Sequence, residues 1–137
     1  MVHRESQPMR RASCACGGLI ATATGEPIRV SLCHCLECQK RTGSVFAAQA
    51  RFPVTSVQTA GKFNVFTRVG DDGGKISFRF CPDCGSTVWY TIDAQPDTIA
   101  IPVGAFADPD FPAPVRSFYA NRKHSWVSIP EAIERAP

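Results

Sequence analysis

Apolar and polar side chains alternate over several short stretches of the chain. The alternation is clearest over residues 75–80, where Ile76, Phe78 and Phe80 are interleaved with polar side chains. Because successive side chains of a strand point to opposite faces, this alternation predicts a strand with one face in the core. Similar patterns between turn residues predict further strands over residues 19–24, 28–32, 44–52, 62–67, 87–92, 98–103 and 115–119.

Helical signals are confined to two short segments. Residues 36–42 are predicted to form one or two helical turns that end at Gly43, a residue suited to a C-cap. Pro130 can occupy the first position of a terminal helical turn over residues 130–135. Between strands, the Asp-Asp-Gly-Gly stretch at residues 71–74 predicts a turn, and the prolines within residues 108–114 predict an irregular loop.

Composition supports a mainly β fold with little helix. The chain has 11 Val, 8 Ile and 9 Thr but only 3 Leu, and β-branched side chains pack better on strands than in helices. A length of 137 residues suits one domain. We expect residues 1–11 to form a flexible lead-in and residues 12–137 to form a single domain.

Charge and hydropathy disfavour several classes of protein. The formal net charge is +3 and the pI is 8.5, whereas dedicated nucleic-acid-binding domains tend to exceed a pI of about 9. Nucleic acid is therefore not an expected partner. No apolar run approaches the roughly 18 residues of a membrane span, and no apolar segment follows the N-terminal arginines as in a secretory signal. These features favour a cytoplasmic protein with no membrane partner.

The cysteines are the most informative residues. There are 7 of them, and an odd number excludes complete pairing into intramolecular disulfides. They form three compact groups, namely Cys14/Cys16, Cys33/Cys35/Cys38 and Cys81/Cys84. In a reducing compartment, cysteines clustered in this way usually bind metal or act in catalysis. A tight turn can aim such closely spaced sulfurs at one zinc ion, and the glycine that follows Cys84 permits the positive φ of such a turn.

The count of cysteines suggests a partition. A closed structural zinc site takes four protein ligands, whereas a catalytic site takes three and leaves one position open. The compact triplet within residues 33–38 can reach one metal, and the two remaining pairs would then make a closed site. Two alternatives are buried free cysteines and a second partition, in which the two groups are Cys14/Cys16/Cys33/Cys35 and Cys38/Cys81/Cys84.

The ordered motifs resemble a known family. They are Cys14-x-Cys16-Gly17, Cys33-His34-Cys35-x-x-Cys38-Gln39-Lys40-x-x-Gly43 and Phe80-Cys81-x-x-Cys84-Gly85-Ser86. This pattern is similar to that of the glutathione-dependent formaldehyde-activating enzyme family, also called the centromere protein V/GFA domain. The resemblance runs over residues 12–129, nearly the whole chain.

The resemblance implies a β-tent fold, in which small antiparallel sheets surround a structural zinc, and it implies two zinc ions per chain. The implied structural ligands are Cys14, Cys16, Cys81 and Cys84. The second zinc, catalytic and labile by expectation, would be held by Cys33, Cys35 and Cys38. The implied activity is the condensation of formaldehyde with glutathione, formally a carbon–sulfur lyase reaction. The implied partners are glutathione or another small thiol, together with a small aldehyde.

The ligand chemistry of the triplet agrees with a thiol substrate. Zinc held by three thiolates carries a formal charge of −1, which makes it a poor Lewis acid and ill suited to generating hydroxide. Such a metal can instead hold a fourth thiol in its deprotonated form. A bound thiolate is a nucleophile for a small carbonyl compound.

Four polar residues are candidates for binding the substrate: His34, Lys40, Arg41 and His124. Lys40 and Arg41 follow the triplet and can meet carboxylates through charge-assisted hydrogen bonds. His34 lies between two predicted ligands, so its ring is expected to point away from the metal. His124 belongs to a basic group with Arg122 and Lys123, which can close the pocket or supply an acid–base group. A solvated surface or a packing role is the alternative for each of them.

Two other functions compete with the enzyme. One is a zinc-stabilised module that binds protein or nucleic acid without catalysis, although the basic residues form no stripe with interleaved aromatic residues. The other is a redox or metal sensor, in which oxidation of the triplet would release one zinc and form a disulfide.

Overall fold

The computed structural model describes residues 7–137, and this part of the chain is mainly β. Its single α-helix of more than one turn is α1 (Leu36–Thr42). The strands are β1 (Met9–Ser13), β2 (Ile20–Thr24), β3 (Arg29–Cys33), β4 (Ala47–Pro53), β5 (Val57–Ala60), β6 (Asn64–Val69), β7 (Lys75–Phe80), β8 (Thr87–Ile92), β9 (Thr98–Pro102), β10 (Arg116–Phe118) and β11 (Glu134–Arg135). The predicted mainly β class with little helix is confirmed.

The strands form two sheets. A three-stranded antiparallel sheet has the order β1-β2-β5, and an eight-stranded sheet has the order β11-β10-β3-β4-β9-β8-β7-β6. The larger sheet is mixed, because β10 pairs in parallel with both β3 and β11. It is therefore bigger and less regular than the small antiparallel sheets that the resemblance implies.

The two faces of the larger sheet have different environments. On β3 and β4, Val30, Ala50 and Phe52 point into the main hydrophobic core, which also receives Ile99 and Ile101 from β9. The intervening residues point to the opposite face, as the two-residue period of a strand requires. Each large apolar side chain buried in this core stabilises the fold by about 1.5–3 kcal/mol. One face thus supports the fold and leaves the other available for a site.

Local patterns fixed several element boundaries. The helix α1 and the strand β7 have the predicted limits, and Gly43 ends the helix in the left-handed region with φ 69°. The amide of Gly43 donates to the carbonyl of Gln39 at 2.9 Å, which caps the last turn. None of the helices within residues 7–137 is long and apolar enough to cross a membrane.

The predicted terminal helical turn over residues 130–135 is wrong. Glu134 and Arg135 instead form β11, whose parallel pairing with β10 is held by a hydrogen bond from the Glu134 amide to the Val115 carbonyl at 3.1 Å. Ile133 is buried, so tertiary contacts decide the conformation of this segment. A local signal such as Pro130 could not reveal that partner.

Regular secondary structure also begins earlier in the sequence than predicted. Residues 9–13 form β1, which pairs with β2, and Ala12 is fully buried between the sheet and the core. The flexible lead-in predicted for residues 1–11 therefore does not extend through residues 9–11. Residues 1–6 lie outside the described part of the chain. The strand β5 is a second element that the sequence pattern missed.

Candidate metal centres and active site

Four cysteines from distant parts of the chain meet at the first candidate centre. The sulfurs of Cys14, Cys16, Cys81 and Cys84 all lie within 4.8 Å of one another. The Cys16 sulfur is 3.6 Å from the sulfurs of both Cys14 and Cys81. A tetrahedral zinc with bonds of about 2.3 Å places its sulfur ligands roughly 3.8 Å apart, so the cluster has the dimensions of a closed zinc site.

Two similar turns build this four-cysteine cluster. The amide of Cys14 donates to the carbonyl of Leu19, and the amide of Cys81 donates to the carbonyl of Ser86, each at 3.0 Å. The glycines that follow the second cysteine of each turn have positive φ angles, 83° at Gly17 and 81° at Gly85. The role predicted for the glycine that follows Cys84 is confirmed, and Gly17 has the same conformation in the first turn.

Backbone amides point at the sulfurs of the cluster. The amide of Leu19 lies 3.2 Å from the Cys14 sulfur, and the amide of Asp83 lies 3.4 Å from the Cys81 sulfur. The amide of Ser86 is the largest of several influences that lower the pKa of Cys84 to about 5. Hydrogen bonds to sulfur favour the thiolate, which is the form that binds metal.

The second candidate centre is the triplet formed by Cys33, Cys35 and Cys38. Their sulfurs also lie within 4.8 Å of one another, and those of Cys33 and Cys38 are 3.3 Å apart. The junction of β3 and α1 creates this arrangement. Cys33 ends the strand, Cys35 is the N-cap of the helix, and the Cys38 amide in the first turn lies 3.3 Å from the Cys35 sulfur. The contact with Cys33 lowers the pKa of Cys38 to about 6.

The two clusters reproduce the four-plus-three grouping of the sequence analysis. The alternative partition would have required Cys38 to join Cys81 and Cys84, whereas its sulfur lies beside those of its own triplet. The structure also excludes scattered buried cysteines, because all seven belong to one cluster or the other.

Only the triplet faces a large cavity. The cavity has a volume of about 980 Å³ and is lined by all three cysteines of the triplet, whereas none of the four-cysteine cluster lines it. Its floor is the face of the eight-stranded sheet that points away from the main core. Phe78 and Tyr90 contribute an apolar part of that floor. This volume is at the upper end of the range of small-molecule sites.

The cavity is strongly cationic. Its lining contains six arginines and three acidic residues. The arginines are Arg29, Arg41, Arg51, Arg68, Arg116 and Arg122, and the acidic residues are Glu37, Asp71 and Asp72. Several of the guanidinium groups lie over aromatic rings, which holds them in place. Such a lining attracts an anionic ligand.

Arg41 is the one predicted substrate-binding residue that lines the cavity. Its guanidinium lies 4.6 Å from the ring centre of Phe78 and 5.4 Å from that of Tyr90. Lys40 does not line the cavity. Its side chain is 75% exposed and pairs with Glu37 at 3.3 Å, which corresponds to the solvated alternative.

The two predicted histidines lie outside the cavity lining. His34 is completely buried, and its Nε2 is 2.9 Å from the Ser117 hydroxyl. Burial lowers the pKa of His34, so the ring is a neutral packing group that points away from the sulfurs. His124 is exposed, with its Nε2 2.9 Å from the Oε1 atom of Gln39.

Gln39 connects the triplet to the C-terminal part of the chain. Its Nε2 donates to the carbonyl of His34 at 2.9 Å and to that of Arg122 at 3.3 Å, while its Oε1 faces His124. The sequence analysis included Gln39 in a motif but gave it no role. Its side chain therefore connects α1, the cysteine loop and the segment that carries Arg122 by hydrogen bonds, and this connection is called the brace below.

Several cavity residues were not predicted. Arg29 and Cys33 share one face of β3 at even spacing, so alternation along this strand was a usable signal for Arg29. Arg51 lies on β4 and Arg68 lies on β6. No local sequence signal shows where these two strands lie in the sheet. Tyr119 lines the cavity with a φ of 55°, a conformation that non-glycine residues adopt rarely.

Comparisons with known proteins agree with this site. A family model described as "Glutathione-dependent formaldehyde-activating enzyme" matches residues 9–122. A crystal structure of a Rhodobacter sphaeroides protein superposes with a TM-score of 0.54 at 18% sequence identity, covering 69% of this chain and 85% of that chain. The likeness to that structure concerns the fold alone. No curated protein matches this chain significantly.

Proposed function

The chain belongs to the glutathione-dependent formaldehyde-activating enzyme family, and from that premise we propose that it is a zinc-dependent carbon–sulfur lyase-type enzyme. Membership supports a glutathione-dependent formaldehyde-activating or related function. The proposed substrates are glutathione or another small thiol and a small aldehyde, and the proposed product is the S-(hydroxyalkyl) adduct. We also propose a cytoplasmic location, because a reducing compartment would keep both cysteine clusters in the thiol form.

The observation that carries the proposal is the opening of the triplet into the cationic cavity. The three converging sulfurs would supply three zinc ligands, and the cavity that they line is the space where a substrate can enter. The donor set fits zinc, because thiolates are preferred ligands of this metal and the sulfur separations suit its bond lengths. Cys33, Cys35 and Cys38 are therefore the proposed catalytic ligands.

Zinc bound to three thiolates would keep a substrate thiol deprotonated at its open position. The residues of the chain bring the reactants together there. Arginines of the cavity attract the carboxylates of the thiol substrate, and the cysteine loop at the start of α1 would hold the three zinc ligands beside them.

The proposed reaction adds the substrate thiolate to the carbonyl carbon of the aldehyde. A carbon–sulfur bond forms, the π electron pair moves to the carbonyl oxygen, and that oxygen takes up one proton to become a hydroxyl group. Tyr90 lines the cavity, and burial raises the pKa of its hydroxyl. It therefore remains protonated and can donate a hydrogen bond to the developing oxyanion.

The four-cysteine cluster is the proposed structural zinc site. It joins the end of β1, in the small sheet, to the turn between β7 and β8, in the large sheet. Two sheets that meet at a metal agree with the β-tent architecture implied by the family. A zinc site of this kind supplies about 10–16 kcal/mol of folding free energy in zinc-finger peptides.

Metal analysis combined with an activity assay tests the proposal. Wild-type protein is expected to hold two zinc ions per chain, and Cys35→Ser is expected to hold one. Proton NMR of a mixture of glutathione and formaldehyde should show faster exchange into S-(hydroxymethyl)glutathione with wild type than with Cys35→Ser. Lys40→Ala is a matched control, because Lys40 is an exposed residue of the same helix and does not line the cavity.

Other outcomes would favour the competing functions. A wild-type protein with one zinc per chain and no effect on the exchange would refute the enzyme. Salt-sensitive binding to nucleic acid in that case would support a binding module. Loss of one zinc on mild oxidation, together with a disulfide within the triplet and no catalysis, would support the sensor.

A further inference from the structure

Two arginines lie opposite each other on the face of the sheet that carries the triplet. Arg29 on β3 and Arg51 on β4 are directly paired in register, and Cys33 and Ala47 are paired four residues along the same two strands. Even spacing places Arg29 and Cys33 on one face. Arg29, Arg51 and Cys33 all line the cavity. The arginine pair and the cysteine triplet thus occupy the two ends of one strand pair.

This pairing is unfavourable for the free protein. Like charges directly opposite each other in a sheet are destabilising. Within residues 7–137, no carboxylate lies within 4.0 Å of either guanidinium. Burial lowers the pKa of Arg51, and the charge of Arg29 acts in the same direction. A repulsive pair held without a counter-ion is a feature that an anionic ligand would relieve.

Most hydrogen-bond donors of the pair have no partner within the described part of the chain. Arg51 donates to the Thr98 hydroxyl at 3.2 Å, and Arg29 is positioned by the ring of Phe118, whose centre lies 5.1 Å from its guanidinium carbon. Each arginine carries five N–H donors, so donors remain for a ligand in the cavity. Planar guanidinium groups match the two oxygens of a carboxylate better than other cations do.

Arg116 provides an internal contrast. Its guanidinium carbon also lies 5.1 Å from the ring centre of Phe118, but its guanidinium forms a salt bridge to Glu134 at 2.8 Å. Among the described residues, one arginine of this wall therefore has a counter-ion, and Arg29 and Arg51 have none. That difference distinguishes a binding pair from a structural ion pair.

We propose that Arg29 and Arg51 form a carboxylate-binding subsite that holds the acidic end of the thiol substrate while its sulfur lies at the cysteine triplet. The inference rests on the proposed function and deepens it, because it names the specificity of that site. The expected ligand class is an extended acidic thiol peptide, and small neutral thiols should lack the second anchor.

The spacing of the strand sets the length of the ligand. Four residues separate Arg29 from Cys33, which corresponds to about 13 Å along a strand. An extended peptide spans roughly 3.3–3.6 Å per residue, so two or three residues and their side chains cover this distance. Between the two ends lies a polar pair, in which the Gln49 Nε2 donates to the Ser31 hydroxyl at 2.9 Å. Polar groups there suit a peptide backbone.

The test separates the two anchors with two probes. S-methylglutathione keeps both carboxylates but has no free thiol, and 2-mercaptoethanol has a thiol but no carboxylate. In calorimetric titrations of the zinc-loaded protein, Arg51→Gln is expected to weaken S-methylglutathione about tenfold, the effect of losing a charge-assisted hydrogen bond. Arg29→Gln should act similarly. Binding of 2-mercaptoethanol should stay within about twofold, since it does not reach the pair.

Controls keep the test independent of folding. Arg11→Gln makes the same charge change at an exposed position of β1 outside the cavity, and it should leave both affinities unchanged. In the wild-type protein, the diethyl ester of S-methylglutathione should bind about tenfold more weakly than the acid, because it lacks the carboxylates that the pair would hold. This comparison needs no mutation.

Each result has a definite meaning. Undetectable binding of S-methylglutathione to wild type, equal affinities for acid and ester, or unchanged affinity in both arginine variants would overturn the subsite. If wild type did not bind 2-mercaptoethanol while both arginine variants still weakened S-methylglutathione, the result would count against the proposed thiol site. The carboxylate subsite would remain supported.

Discussion

The two cysteine clusters are assembled in opposite ways. Cys16 and Cys81 are 65 residues apart in sequence but have sulfurs 3.6 Å apart, so the four-cysteine cluster exists only when both sheets are in place. Cys33, Cys35 and Cys38 lie at one junction between a strand and a helix. A long-range cluster restrains the whole chain, whereas a local cluster needs only its own loop. This difference supports the proposed division of roles, in which the first cluster stabilises the fold and the second carries the chemistry.

Access to the cavity follows the same division, whereas burial does not, since Cys16 and Cys84 are exposed and Cys33 and Cys38 are buried. The four-cysteine cluster is away from the cavity, and its backbone hydrogen bonds enclose the sulfurs of Cys14 and Cys81. The triplet opens into the cavity beside the arginines. A metal that closes a long loop stabilises the fold the most, because it restricts the unfolded chain. A catalytic metal needs a free coordination position that the substrate can reach.

Removal of one sulfur from each cluster is the strongest test of this division of roles. Cys81→Ser is expected to abolish cooperative folding, because a structural zinc contributes about 10–16 kcal/mol and a whole domain is stable by only about 5–15 kcal/mol. Cys35→Ser is expected to retain a cooperative thermal transition and lose one zinc and the activity. Circular dichroism melts with zinc analysis measure both. Similar melting temperatures for the two variants would contradict the division of roles.

A backbone substitution tests the structural role of the turn beside the four-cysteine cluster. A Cβ at Gly61 would overlap the carbonyl oxygen of Gly18, next to the first cysteine turn, and the φ of Gly61 is +105°. Gly61→Ala is therefore expected to destabilise the protein by about 2 kcal/mol or more, measured by urea unfolding with both zinc sites loaded. Gly104→Ala is the matched control, since its Cβ would meet nothing within 4 Å. Equal stability of the two variants would show that this turn yields easily.

The smallest expected effect concerns the brace on the triplet side. Gln39→Ala removes hydrogen bonds to the carbonyls of His34 and Arg122, and the expected loss of stability is about 1 kcal/mol. Because the brace positions the segment that carries Arg122, KM for the thiol should rise more than kcat falls. Steady-state kinetics measure both values. An unchanged KM beside an unchanged zinc content would show that the brace is dispensable for the site.

Sequence reasoning succeeded where the signal is local. The limits of α1 and β7, the C-cap at Gly43 and the glycine turns beside the cysteines each depend on a few neighbouring residues. The grouping of the cysteines was also predictable, because the arithmetic of zinc coordination and the family motifs both favour four plus three. The structural roles of these positions need no knowledge of distant strands.

The cationic wall of the cavity was not predictable in the same way. Arg29 faces Arg51 only because β3 and β4 pair in one particular register, and no local pattern encodes that register. His34 illustrates the reverse error. It was a candidate for binding the substrate, but the parity of a strand that ends at Cys33 and the hydroxyl of Ser117 place its ring in the interior, which agrees with the expectation that the ring points away from the metal.

The parallel strand β10 has a consequence for the order of events during synthesis. It covers the outer side of β3, where Phe118 is paired with Cys33 and the His34 amide donates to the Phe118 carbonyl at 3.0 Å. The partners of the four-cysteine cluster have all been translated by residue 84, about thirty residues before β10 emerges. On the ribosome the four-cysteine cluster can therefore assemble early, while β3, which ends at Cys33, remains an open edge. The surroundings of the triplet are completed last, after the part of the fold that supports them.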